Sequence, residues 1–176
     1  DGGSINQPKY LTKGIDNLYF VADDGNSGYE VWESDGTEEG TNAISNLKLG
    51  NDSSTPSNLT ETLNNLFFTA NNGINGIELW KSNGTANGTS LVKDIKNGID
   101  SSSPNNLTEM AGNLFFVADD GINGIELWKS NGTEAGTSLL KDINNNSSSS
   151  PNYLIKVNDN LFFTANDGIN GNELWK

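Results

Sequence analysis

The chain of 176 residues carries 23 acidic against 10 basic side chains, a net charge of −13 and a pI near 4.1. With no clustered Lys or Arg to neutralise phosphates, nucleic acid is excluded as a partner. No histidine and no cysteine are present, so disulfides, Ser-His-Asp or Cys-His chemistry and the usual zinc sites are excluded by inventory.

Three residue types keep one register along the chain. Trp32, Trp80, Trp128 and Trp175 are separated by 48, 48 and 47 residues, and Pro8, Pro56, Pro104, Pro151 and Gly25, Gly73, Gly121, Gly168 repeat those intervals. The period divides one repeat domain, 1–176, into units over about 8–55, 56–103, 104–150 and 151–176. The opening DGGSINQ aligns with the loops that connect units. In the first unit, the loop DDGNSGYE (23–30) leads into EVWESDGTEEGT (30–41). The second unit restates both as NNGINGIE (71–78) and ELWKSNGTANGT (78–89).

The third unit shows its parts most clearly. Strands are expected over 105–110, 113–118, 125–130 and 138–143, because each run is apolar, aromatic or β-branched and is bounded by Gly, Asn or Asp. The connection NNNSSSSP reads as a polar linker. The fourth unit stops at Lys176, before the portion that forms the last strand in the other three. No segment holds a 3.6-residue apolar period, so helix is expected to be nearly absent. No run reaches the roughly 18 apolar residues of a membrane span, and the chain reads as a mature or excised soluble segment.

Four short antiparallel strands per unit predict an all-β fold: a β-propeller-like array of four-stranded antiparallel blades, the last one incomplete. Apolar residues on both sides of a strand fit face-to-face stacking, with Leu114 and Phe116 pointing one way and Phe115 and Val117 the other. A row of β-meanders that closes only on oligomerisation is the second reading, and a β-sandwich the third. The open fourth unit implies a piece cut from a longer array. Its alternative is an edge completed by a neighbouring molecule, hence self-association.

The segments 30–41, 78–89, 126–137 and 173–176 resemble the bacterial ELWxxDGT repeat in all four registers. Asn83 and Asn131 replace its Asp, and Val31 its Leu. That resemblance implies secreted or surface-attached proteins with tandem, propeller-like repeats and no defined activity.

Two residue patterns are candidates for chemistry. Asp23, Asp24, Asp119, Asp120 and Asp167 lie in the Gly-rich loops and are hard oxygen ligands of the kind calcium takes, which makes calcium the one candidate cofactor. The second repeat has Asn71 and Asn72 there instead, and hairpin turns capped by Asp or Asn account for the loops more simply. The pairs Glu30 and Trp32, Glu78 and Trp80, Glu126 and Trp128, and Glu173 and Trp175 share a strand face. They suit either sugar stacking or a structural role between blades. The SDGT and SNGT steps predict type I′ turns, and Asn83 and Asn131 also begin glycosylation sequons. No catalytic residue is assigned. The expected role is a non-enzymatic, extracellular module binding a glycan, matrix or protein partner, with a subunit of a surface layer or filament as the alternative.

Overall fold

Runs such as LFFTAN and IELWKS have side chains that fit a pleated surface and cannot stay in water, and Gly-rich reversals bring them together as antiparallel pairs. The computed structural model describes residues 5–145 and 147–176. The first sheet holds β1 (Asn6–Lys13), β2 (Leu18–Asp23), β3 (Tyr29–Ser34) and β4 (Asn42–Ala43). The second holds β5 (Ser57–Glu61), β6 (Leu66–Asn71), β7 (Ile77–Ser82) and β8 (Ser90–Lys93). In the third are β9 (Asn105–Met110), β10 (Asn113–Asp119), β11 (Ile125–Ser130) and β12 (Ser138–Lys141). The fourth has three strands, β13 (Asn152–Val157), β14 (Asn160–Asn166) and β15 (Asn172–Trp175). Every sheet is antiparallel with its strands in chain order, and no α-helix occurs among the described residues.

The first strands of consecutive sheets touch, β1 with β5, β5 with β9 and β9 with β13. Three apolar clusters fill the spaces between successive sheets. Tyr19, Val31 and Ile44 of the first sheet meet Leu66, Phe68 and Trp80 of the second. Phe67, Leu79 and Ile95 of the second meet Leu114, Phe116 and Trp128 of the third. Phe115, Leu127 and Ile143 of the third meet Leu161, Phe163 and Ala165 of the fourth. The core is therefore a series of like interfaces, each made by one face of a sheet against the opposite face of the next. Leu114 and Phe116 lie in one cluster and Phe115 in the other, as alternation requires. No closed propeller is formed among the described residues; the sheets are an open series.

Three local expectations are corrected. The last strand of the third repeat ends at Lys141, because Asp142 and Ile143 turn inward and Ile143 joins the core. Type I′ turns do not form at the SDGT and SNGT steps. A type I′ turn needs positive φ at both central residues, and only Gly36, Gly84 and Gly132 have it. Asp35 Oδ1 instead accepts from the N–H and hydroxyl of Thr37 at 2.8 and 2.7 Å, and Asn83 and Asn131 bind Thr85 and Thr133 the same way. This side-chain turn wins because Asp and Asn bond locally more readily than they adopt left-handed backbone. Third, Asn6 and Gln7 of the opening segment belong to β1 rather than to a loop, while residues 1–4 of that segment lie outside the described residues.

The residue before each proline is left-handed, Gln7 within β1 and Thr55, Ser103 and Ser150 just ahead of β5, β9 and β13 (φ 46° to 49°), and within the first strands Tyr10, Asn58, Asn106 and Tyr153 are left-handed as well (φ 53° to 55°). Gln7, Tyr10, Asn58, Asn106 and Tyr153 coincide with breaks in the pairing register and bend the strand.

Candidate functional site

The glutamate and tryptophan of each ELW-type step lie on the third strand of their sheet, and the structure places most of them inside. Glu30, Glu78 and Glu126 are fully buried, Trp80 and Trp128 are buried, and Trp32 and Trp175 are half-buried. Glu173 on β15 is exposed. Trp32, Trp80 and Trp175 donate from Nε1 to the carbonyls of Ala22, Ala70 and Ala165 at 3.1 to 3.2 Å, which pins the indole across the neighbouring strand.

The buried carboxylates have donors from the segment that leads to the next sheet. Glu30 accepts from Ser45 Oγ at 2.7 Å, Ser54 Oγ at 2.8 Å and Ser54 N at 3.2 Å. Glu78 accepts from Ser102 Oγ at 2.5 Å, Ser102 N at 2.8 Å and Ile95 N at 3.2 Å. Glu126 repeats this with Ser149 Oγ at 2.5 Å, Ser149 N at 2.7 Å and Ile143 N at 3.1 Å. The same serines reach the following sheet through their carbonyls, which accept from Asn71, Asp119 and Asn166 N–H at 2.9 to 3.0 Å. One residue earlier, Ser53, Ser101 and Ser148 accept from Tyr29, Ile77 and Ile125 N–H at 2.9 Å. Each Glu and Ser-Ser pair is thus a polar staple between sheets, because a buried carboxylate is tolerable only when its oxygens are satisfied. Burial pushes the Glu30 and Glu78 carboxyls above the ordinary glutamate range, and the serine hydrogen bonds pull them part of the way back.

Sequence reasoning read these serines as linker and missed them. The signal was present as Ser-Ser-x-Pro at 53–56, 101–104 and 148–151, in register with the repeat.

The loop aspartates cap turns. Asp24 Oδ1 accepts from Asn26 and Ser27 N–H, Asp120 Oδ1 from Ile122 and Asn123 N–H, and Asp167 Oδ1 from Ile169 and Asn170 N–H, all within 2.9 Å. These backbone donors favour the charged form and hold Asp24 and Asp167 below the usual carboxylate range. Asp23 and Asp119 accept from Gly25 and Gly121 N–H at 2.7 Å, and Asp119 also pairs with Lys96 at 2.8 Å, which lowers its pKa. Among the described residues no three acidic side chains converge as a metal-holding group.

Gly76 shows why the loop needs glycine. Its φ is +66°, and a Cβ there would collide with the backbone of Ile99 and Asp100, so a side chain would break the contact between loop and linker.

At the loop tips of the second, third and fourth repeats Ile74, Ile122 and Ile169 are 72%, 87% and 87% exposed, and the first repeat has Asn26 at that register. Beside the third loop lies a polar cleft of about 460 Å³ lined by Lys96, Asp119, Asn123, Asp142 and Ser148. An apolar groove of about 500 Å³ runs between the third and fourth sheets past Leu127, Leu161 and Trp175, with Lys141 Nζ 5.1 Å from the indole. No described helix is long and apolar enough to cross a membrane.

No family model matches the chain, and no curated protein matches it. Among solved structures, the computationally designed Ika8 protein is similar at 14% identity, with a TM-score of 0.37 over 96% of this chain and 58% of that one. The chain spans a little over half of that structure's length, and a likeness this distant carries no argument about activity.

Proposed function

We propose that the chain is a non-enzymatic binding scaffold in which propeller-like blades display a repeated loop to a glycan, matrix or protein partner outside the cell. One observation supports this reading above the others: the same rigid loop recurs with an exposed isoleucine at its tip. Asp and Asn caps fix the loop backbone, so Ile74, Ile122 and Ile169 stay in water without collapsing onto the sheet. Single exposed apolar residues are common on surfaces. Three at one register, on loops ordered at this cost in polar contacts, suit a multivalent grip on a repetitive partner.

The buried Glu and Trp pairs have a different task. Glu30, Glu78 and Glu126 hold sheets together, which favours loop contact over sugar stacking on these pairs. The resemblance to the ELWxxDGT repeat and the acidic, Asn- and Ser-rich surface support a secreted or cell-surface location.

Binding to immobilised glycans and matrix proteins, measured as a saturable signal, should fall about tenfold or more when Ile74, Ile122 and Ile169 are all changed to Asp, since several weak contacts multiply. Melting should stay unchanged because the three side chains touch solvent. Undiminished binding by the triple variant would remove the loop tips from the reading.

The loop aspartates are capping groups in this proposal, and calcium is not required. Melting with millimolar calcium and with a chelator should therefore coincide within a degree or so. A calcium-dependent rise of several degrees would instead mean that a bound ion adds stability by mass action.

A further inference from the structure

The three internal interfaces are built from the same registers, and the outer faces of the first and fourth sheets carry those registers with part of their apolar surface in water. Val31, Leu79 and Leu127 are 0 to 2% exposed where each sheet meets the next, whereas Leu174 at the same register of the fourth sheet is 73% exposed. Around Leu174 lie Ile155 and Val157, 58% and 46% exposed, and half-buried Phe162, which pairs directly across from Ile155. Phe162 occupies the register of Tyr19, Phe67 and Phe115, all buried. At the other end, Leu11 holds the register of Leu59, Leu107 and Leu154, which pack against the three clusters. Leu11 is 64% exposed, and Leu18, at the register of the buried Leu66, Leu114 and Leu161, is 39% exposed.

We infer that the Leu174 face of one molecule docks on the Leu11 face of a second copy, repeating between chains the interface each chain makes three times within itself. The two faces differ, so the contact is heterologous and passes from copy to copy, closing into a ring if the rotation allows and otherwise growing as a filament. Complementarity comes from within the chain: the residues that receive Val31, Leu79 and Leu127 inside are the leucines, phenylalanines and tryptophans whose counterparts in the first sheet are Leu11 and Leu18, both exposed, Trp32, half-buried, and Phe20, which is already buried and supports the face from beneath. This inference is independent of the loop-tip reading, because Ile74, Ile122 and Ile169 belong to neither face.

Charge sets the condition under which docking is seen. Each copy carries −13, and like-charged copies repel at long range until salt screens them. Association through apolar faces should therefore strengthen with salt, the reverse of what an ion-paired contact would do.

Sedimentation of the chain across concentration and salt tests the contact. The expected result is self-association that grows with salt and is weakened about tenfold or more by Leu174→Asp and by Leu11→Asp, each on a side chain already largely in water. A mixture of the two variants should form a one-to-one complex, since each keeps the face that the other lacks. A chain that stays monomeric up to about 1 mM, a weak affinity by any measure, would overturn the inference and show that a second copy does not cover these faces. Association that survives both substitutions, or variants that fail to complement each other, would overturn it equally. Unchanged circular dichroism of both variants establishes that folding is not the cause.

Discussion

Glu78→Ala should destabilise the junction of the second and third sheets by about 3–4 kcal/mol, read as a lower denaturant midpoint. The change orphans three donors at once: Ser102 N–H, Ser102 O–H and Ile95 N–H. A buried donor left without a partner costs about 1–3 kcal/mol, and relief from burying a carboxylate returns part of that sum. Against a total stability of about 5–15 kcal/mol for a domain, such a loss is a large fraction. Ser102→Ala should cost less, about 2 kcal/mol, because the glutamate keeps its two backbone donors while losing one hydrogen bond to a charged group. The Ser102→Ala loss separates a staple from a packing residue: it removes one hydroxyl and almost no volume, so a site that mattered only by volume would be left nearly unchanged by it.

The same carboxylates give the chain a recognisable response to pH. The folded-state pKa of Glu30 and Glu78 is raised, so the folded chain binds more protons than the unfolded one just above the ordinary glutamate range. Their contribution therefore improves as pH falls toward that range and is lost as pH rises through the raised values. Asp24, Asp119 and Asp167 are shifted the other way; they stabilise above the usual aspartate value and cease to do so in stronger acid. Stability should thus rise on mild acidification from neutrality and fall again in stronger acid. Glu78→Gln keeps the shape of the staple and removes one titrating group, so it should flatten the mild-acid rise.

How much of this was legible follows from what each signal depends on. The strands of the third repeat stood out because residues such as Leu114, Phe115, Phe116 and Val117 can be buried only in an extended, two-sided arrangement, and the neighbouring Gly and Asn residues can only be turns. The repeat period made one good unit into four. The serines were hidden because a Ser-rich run has the composition of a solvated linker, and nothing local says that Ser102 O–H will meet a carboxylate 24 residues earlier. The turn type was misread because Asn-Gly favours two different devices, and the threonine that decides between them, Thr85 or Thr133, acts through its side chain. The inward position of Glu78 was ambiguous for a related reason. A carboxylate beside an indole is equally good chemistry for a sugar and for a staple, and only the donors brought by the next segment distinguish the two. Ring closure depends on the rotation between sheets, which residue patterns do not encode.

Phe116→Ala tests whether the interfaces act as separate units or as one core. Phe116 is fully buried between the second and third sheets, with its ring 6.5 Å from that of Trp128 at a 30° tilt. Truncating a buried phenylalanine costs about 3–5 kcal/mol in lost burial and the cavity left behind, and the aromatic pair adds about 0.5–1.5 kcal/mol to what is lost. In a globule with one core the whole molecule would simply unfold earlier, in one step. Here Phe116 serves the middle of three nearest-neighbour interfaces, and stability in such an array is approximately a sum over units and their contacts. The expected outcome is a transition that broadens or splits, with a smaller denaturant slope because less surface is exposed in each step. Phe163→Ala, one repeat on and between the third and fourth sheets, should instead release the fourth sheet first and leave the remaining three melting together. A single sharp transition with an unchanged slope in both variants would mean that the sheets are coupled far more tightly than contacts between neighbours can provide.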